Sequence, residues 1–300
     1  MSAEKQLLSR IAAAQSSGDP LVISDTQFSP DSRLRSKRDY AHEIIPFDLH
    51  PKGGGWRNRL LGRKPVWRNL VFRNCAISGL AFTNWELEDC VFENCELAIR
   101  NWKTSYRRNR FVDCDMRSFS FGADTMANSN SFADVTFDRC RLQSARLDYT
   151  EFEDCRFVDC HMKRAEFRQA TLRRTTFAGK LDDVIFGCDD LAPTVLDSVD
   201  FATAHLSFCA FRNVKASGIK PPVAAGQHMI KDFIGFIQAL DDAVTAHAGD
   251  KRIRLSDIFT SDHMPGSEIE IVNENDFQEF LDAEGRTILA GMLADPRCRP

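Results

Sequence analysis

FEDCRFVDCHMKRAEF, from Phe152 to Phe167, sets Cys155 and Cys160 among acids and a histidine, and the whole chain holds ten cysteines in 300 residues. Thiolates, imidazoles and carboxylates gathered in this way are the ligands of a zinc site. Such a site needs four of them converging tetrahedrally and commonly draws them from cysteine pairs two to four residues apart. Here the spacing is five. Eight of the ten (Cys75, Cys90, Cys95, Cys114, Cys140, Cys155, Cys160 and Cys209) stand two positions before a large apolar residue. Regular placement of this kind suits a small packed side chain, because a thiol is among the most often buried groups and behaves there as a small hydrophobe. No metal or cofactor is expected. The seven histidines pair with no nucleophile, His161 is expected at the surface beside Arg141, and no His-Glu-x-x-His, Gly-x-Ser-x-Gly or phosphate-loop pattern occurs. The chain does not read as an enzyme.

The elements that would position these residues follow from the same spacing. An apolar residue recurs every fifth position from Trp67: Phe72, Ile77, Phe82, Leu87, Phe92, Leu97, Trp102. After a slip of one it resumes as Tyr106, Phe111, Met116, Phe121, Met126, and after a second slip it runs from Phe132 through Phe152, Phe157, Met162 and Phe167 to Phe177. A last run joins Leu181, Phe186, Leu191, Leu196, Phe201, Leu206 and Phe211. With 43% apolar residues, ten matches in a fixed register arise by chance about 2 times in 10,000. Neither the helical period of 3.6 nor the strand period of 2 produces fives.

A small residue, a large apolar residue and three outward positions resemble the pentapeptide-repeat family. That resemblance implies an all-β solenoid, a right-handed quadrilateral β-helix of about seven coils over residues 67–214, with small α-helical flanks at both ends. Four five-residue sides per turn would stack residue i on residue i+20 at the strand spacing of about 4.8 Å. Opposite charges then face each other at Arg139 over Asp159, Arg146 over Glu166, Asp148 over Arg168, Glu153 over Arg173 and Asp154 over Arg174. Cys75 over Cys95 and Cys140 over Cys160 would lie close enough for disulfides, which a reducing compartment opposes.

Residues 1–50 read as a weakly structured flank with a short helix around Glu4 to Gln15, and 51–66 as a basic, glycine-rich linker. Residues 215–300 read as a mainly helical region, its helix at 228–247 closing the open end of the solenoid or forming a dimer surface, and a later helix spans about Asp276 to Leu293. No stretch approaches the ~20 apolar residues of a membrane span, and the N-terminus has no export signal, so the chain is expected in the cytoplasm. Net charge is +4 for residues 1–66, −3 for 67–214 and −5 for 215–300. None of these announces nucleic acid as a direct partner.

Departures from the rhythm are where function is sought. KTSYRRNR places Lys103, Arg107, Arg108 and Arg110 at a break in the wall; GADTMANSNS from Gly122 to Ser131 reads as a loop; and Asp182, Asp183, Asp189, Asp190, Asp197 and Asp200 form an acidic patch. The expected function is a non-catalytic scaffold for a protein partner. The family resemblance also implies an alternative, DNA-mimicking modulation of DNA gyrase, with homodimerisation through the C-terminal region. A second alternative, left open by composition, is an effector whose residues 1–66 direct secretion into a host cell.

Overall fold

The structure is a computed structural model and describes residues 3–25, 27–28, 66–122, 126–188, 192–248, 255–259 and 267–294. The solenoid has four walls. Two are eight-stranded parallel sheets and two are shorter, completed by isolated bridges such as Asp115 to Arg141 and Arg141 to His161. The fold is the right-handed quadrilateral β-helix.

Each wall is built from one side of every coil, so its inward residues stack in a column. The first wall stacks Trp67, Leu87, Tyr106, Phe132, Phe152, Leu172 and Leu196. The second stacks Ile23 and Phe72 through Phe177. Its rings lie nearly parallel, at 5.0 Å for Phe72–Phe92, 4.7 Å for Phe137–Phe157 and 5.0 Å for Phe157–Phe177. The third wall carries Ile77 and Leu97, and the fourth Phe82, Phe167, Phe186 and Phe211. Each fully buried ring contributes about 1.5–3 kcal/mol.

The corners explain the small residues. At each turn one residue takes a positive φ, usually Asn, Asp or Arg, as at Asn94 (φ 50) and Arg174 (φ 48), and the next small side chain points inward. Thr150 Oγ1 donates to the Phe121 carbonyl at 3.0 Å, and the Cys155 and Cys160 thiols point at the Phe132 and Phe137 carbonyls at 3.3 Å. A short donor there satisfies a carbonyl of the preceding coil.

The fives mislead at two places. Trp102 is not an inward residue. The strand Glu96–Trp102 runs seven residues without a corner and alternates, so Leu97, Ile99 and Asn101 turn inward and Asn101 is fully buried opposite Phe82. Its amide accepts from Tyr106 Oη at 2.6 Å and donates to the Ser120 carbonyl at 3.0 Å. Met126 starts a 3-10 turn, Met126–Asn128, rather than a wall strand. Leu191 lies outside the described residues.

The N-terminal flank is part of the solenoid. Leu21–Ser24 and Gln27–Phe28 pair in parallel with Leu70–Arg73 and the strand Ala76–Thr83, extending the second and third walls by a strand each. Helix α1, Ala3–Ser17, buries Ile11 in the main core. Residues 29–65, with most of the basic linker, lie outside the described residues.

At the other end the strand Val214–Ser217 adds to the first wall. Gln227–Ile230, expected as the start of a helix, is a strand paired antiparallel with Glu270–Asn273. Helix α2 begins only at Phe233, where Asp232 Oδ1 accepts from Gly235 N at 3.0 Å, and runs to Ala248. It packs with the short helix α3, Leu255–Phe259, and with α4, Ala283–Ala294, through a second core containing Ile237, Leu240 and Leu289. The solenoid end itself is covered by the strand Glu270–Asn273, whose Ile271 joins the main core.

Candidate interaction surface

Buried chemistry in the solenoid is spent on packing. All nine described cysteines are free, and Cys75, Cys95, Cys114, Cys140 and Cys160 form one column at the corner before the third wall. Burial pushes the Cys90, Cys155 and Cys209 thiols up to about 12. Cys114 reaches about 12 through its hydrogen bond with Cys140, ahead of burial. Among the described residues no group of His, Cys, Asp and Glu is placed to hold a metal ion. Phe152, Phe157, Met162, Phe167, Cys155 and Cys160 are all buried in the core.

The four basic residues from Lys103 to Arg110 do not mark a break in the wall. Ser105–Arg107 and Arg110–Val112 are regular strands in register with the coils on either side. Three of the four are engaged with acids of neighbouring coils: Arg107 with Glu86 at 3.5 Å, Arg108 with Asp89 at 2.8 Å and with Glu88, and Arg110 with Asp138 at 3.5 Å. Hydrogen bonds from Arg68 and Arg108 hold the Glu88 carboxyl below its usual range.

The described acids of 182–200 stand on different walls, Asp182 and Asp183 after Leu181, Asp197 after Leu196 and Asp200 before Phe201. Asp182 meets Lys163 at 3.3 Å and Asp183 meets Arg164 at 3.3 Å, on the third wall. Asp200 pairs with Lys220 at 2.9 Å and is held low by it, while Asp197 accepts from Ser217 Oγ. Asp189 and Asp190 lie outside the described residues.

The expected ladder pairs are met in part. Arg174 binds Asp154 at 2.7 Å and takes Glu153 as well, leaving Arg173 out. Arg139 turns to Asp113 and Asp138 rather than Asp159, and Arg146 and Arg168 each bind an acid two residues away in their own coil, Asp148 and Glu166.

Eight strands stacked at the coil repeat, a small inward corner residue and a large inward residue on each side describe the solenoid, and residues 136–178 match a family model described as Pentapeptide repeats (8 copies). That part of the solenoid is built of pentapeptide repeats. Among solved structures the chain is similar to full-length QnrB1, a plasmid-mediated fluoroquinolone resistance protein. The identity is 14% and the TM-score 0.33, over 67% of this chain and 91% of that one. It is also similar to HetL, a pentapeptide repeat protein involved in heterocyst differentiation regulation in the cyanobacterium Nostoc sp. strain PCC 7120. There the identity is 8% and the TM-score 0.21, over 71% of this chain and 93% of that one. No curated protein matches the chain.

Two irregularities of the solenoid fall on the same edge. Most coils advance 20 residues, as from Phe132 to Phe152 and Phe152 to Leu172. Tyr106 to Phe132 takes 26 and Leu172 to Leu196 takes 24. The extra residues of both coils fall between the fourth wall and the first, after Phe121 and after Phe186. Two ordinary corners separate them, with Tyr149 (φ 55) and Gln169 (φ 50) at their left-handed positions.

The fourth wall has a character of its own. Among the described residues its outward cations are Arg100, Lys103, Arg146, Arg168 and Arg212, against Asp148 and Glu166. The first wall, which shares the edge bearing the inserts, is rich in acids, among them Glu86, Glu88, Glu151 and Glu153. Sequence reasoning missed the fourth wall because its cations fall into one column only once both insert lengths are known.

Proposed function

We propose that this protein is a non-catalytic scaffold that binds a protein partner along the edge between its fourth and first walls. One observation carries this reading: both inserts that interrupt the coils lie on that one edge. Loops on a rigid frame are where binding residues concentrate, and two loops on one edge can engage a single partner. The ends support the same view, since the chain covers both of them itself. Alternating ion pairs such as Arg108 with Asp89 and Arg174 with Asp154 break up negative potential along the first wall, which disfavours a DNA-mimicking surface for gyrase.

The test replaces the residues between Phe121 and Phe132, and between Phe186 and Leu196, each with the four residues of an ordinary corner. Both chains are then used in proximity cross-linking in the native cell. Loss of a specific cross-linked protein from the shortened chain, with an unchanged β-sheet spectrum, is the expected result. Equal cross-linking by both chains, or altered gyrase supercoiling by the shortened chain and the native one alike, would sink it.

A further inference from the structure

We propose that the fourth wall binds an extended acidic segment of the partner, anchored by Arg100, Trp102 and Lys103. The inference deepens the scaffold reading and rests on it.

The anchor follows from the change of rhythm in strand Glu96–Trp102. Because Asn101 takes the buried position, Trp102 is turned outward and half-buried, between the exposed Arg100 and Lys103 on the same coil. A tryptophan left at the surface where the repeat would bury it is unusual, and Trp and Arg are the residue types that most often carry interface energy. Arg100 and Lys103 make no ion pair among the described residues. Farther along the wall Arg146 and Arg168 are engaged by Asp148 and Glu166, at 2.7 and 2.6 Å. A guanidinium has five N–H groups, and one carboxylate takes two of them, so Arg168 retains donors for a second carboxylate.

Charge complementarity selects the occupant. The wall offers a net positive stripe one side of the coil wide. An extended peptide fits within that width. A nucleic-acid duplex is wider than the stripe, and an excess of about three cations among the described residues releases too few counterions to hold one at physiological salt. Arg100 and Lys103 are already solvated, so the complex forms without burying bare charge, and its affinity falls as salt rises.

The experiment uses the full chain and a fluorescein-labelled deca-glutamate peptide, read by anisotropy at low and physiological salt. Saturable binding is expected, weakened at least tenfold by the double variant Arg100→Glu, Lys103→Glu and changed less than twofold by Arg156→Glu on the second wall. A blue shift of tryptophan emission on binding should vanish in Trp102→Phe. Unsaturable binding, equal weakening by Arg156→Glu, or tighter binding of a ten-nucleotide oligo-dT than of the peptide each overturns the proposal. If the double variant, shown folded by its melting curve, still cross-links the partner in cells, the acidic-segment inference fails while the scaffold reading stands.

Discussion

The side-chain amide of Gln227 lies along the backbone of Leu206, accepting from its N–H at 3.0 Å and donating to its carbonyl at 2.9 Å. At the opposite end Gln15 does the same to Arg68, with both bonds at 2.7 Å. A primary amide presents one donor and one acceptor side by side, as the next strand would, so a single glutamine stands in for a missing coil. Gln227→Leu leaves the Leu206 N–H buried without a partner, while its carbonyl keeps Asn273 Nδ2 at 2.9 Å. The expected cost is about 2 kcal/mol, and about 0.5–1 kcal/mol for Gln15→Leu, whose site is exposed. Urea midpoints at constant slope measure both, and equal costs would refute the distinction.

Acid should weaken the walls. Arg68 and then Arg108 hold Glu88 low, Arg108 holds Asp89 low, Arg139 holds Asp113 low and Arg174 holds Asp154 low. A carboxyl whose pKa is depressed on folding adds stability above its unfolded value, near 4, and that stability is lost as pH falls through the lower folded value. Melting temperature is therefore expected to hold from pH 7 to about 5 and to drop below 4. These pairs are largely exposed, so 1 M salt should shrink the effect.

Asp276 carries the opposite sign. It is buried under the cap, accepting from Phe208 N at 2.7 Å and Ser207 Oγ at 3.0 Å, and burial raises its pKa despite both bonds. Its charged form is thus disfavoured by folding, and stability declines as pH rises from its unfolded value through the raised folded one. Asp276→Asn keeps an acceptor without the charge. Denaturation at pH 7 is expected to show it at least as stable as the parent, and a loss that persists equally at pH 4 would contradict this assignment.

Thiol chemistry should report the folded state. Cys90, Cys114, Cys155 and Cys209 stay protonated at pH 8 because their pKa values are pushed up to about 12. The thiolate is the reactive form. Ellman's reagent is expected to leave these four unmodified for as long as the chain stays folded, with their labelling rising together across the urea transition. Fast labelling of any of them in native conditions would contradict their burial.

The repeat is legible because a fivefold step allows one large and one small inward residue per side, and substitutions at those positions are limited by volume. It fails where backbone geometry replaces corner with strand. Nothing in the spacing of Leu97 and Trp102 shows that Ile99 and Asn101 continue the strand; the Asn before Trp102 is the signal, since its amide caps the Tyr106 hydroxyl. Met126 falls into register with the fives by coincidence, inside an insert of near-multiple length. The strand Leu21–Ser24 escaped because its pairing with Leu70–Arg73 is set by contacts across 49 residues. Charge pairing was legible as alternation of sign, but the long arginine side chains choose partners within their own coil as readily as the one above.

Both inserts leave the same edge three coils apart, which at about 4.8 Å per coil sets their bases roughly 14 Å from each other. Each coil touches only its neighbours, so a coil added between Leu147 and Phe167 would move one insert away by a single fixed increment without altering either. The solenoid is in this respect a ruler, and the number of coils between the inserts sets the distance a partner must span.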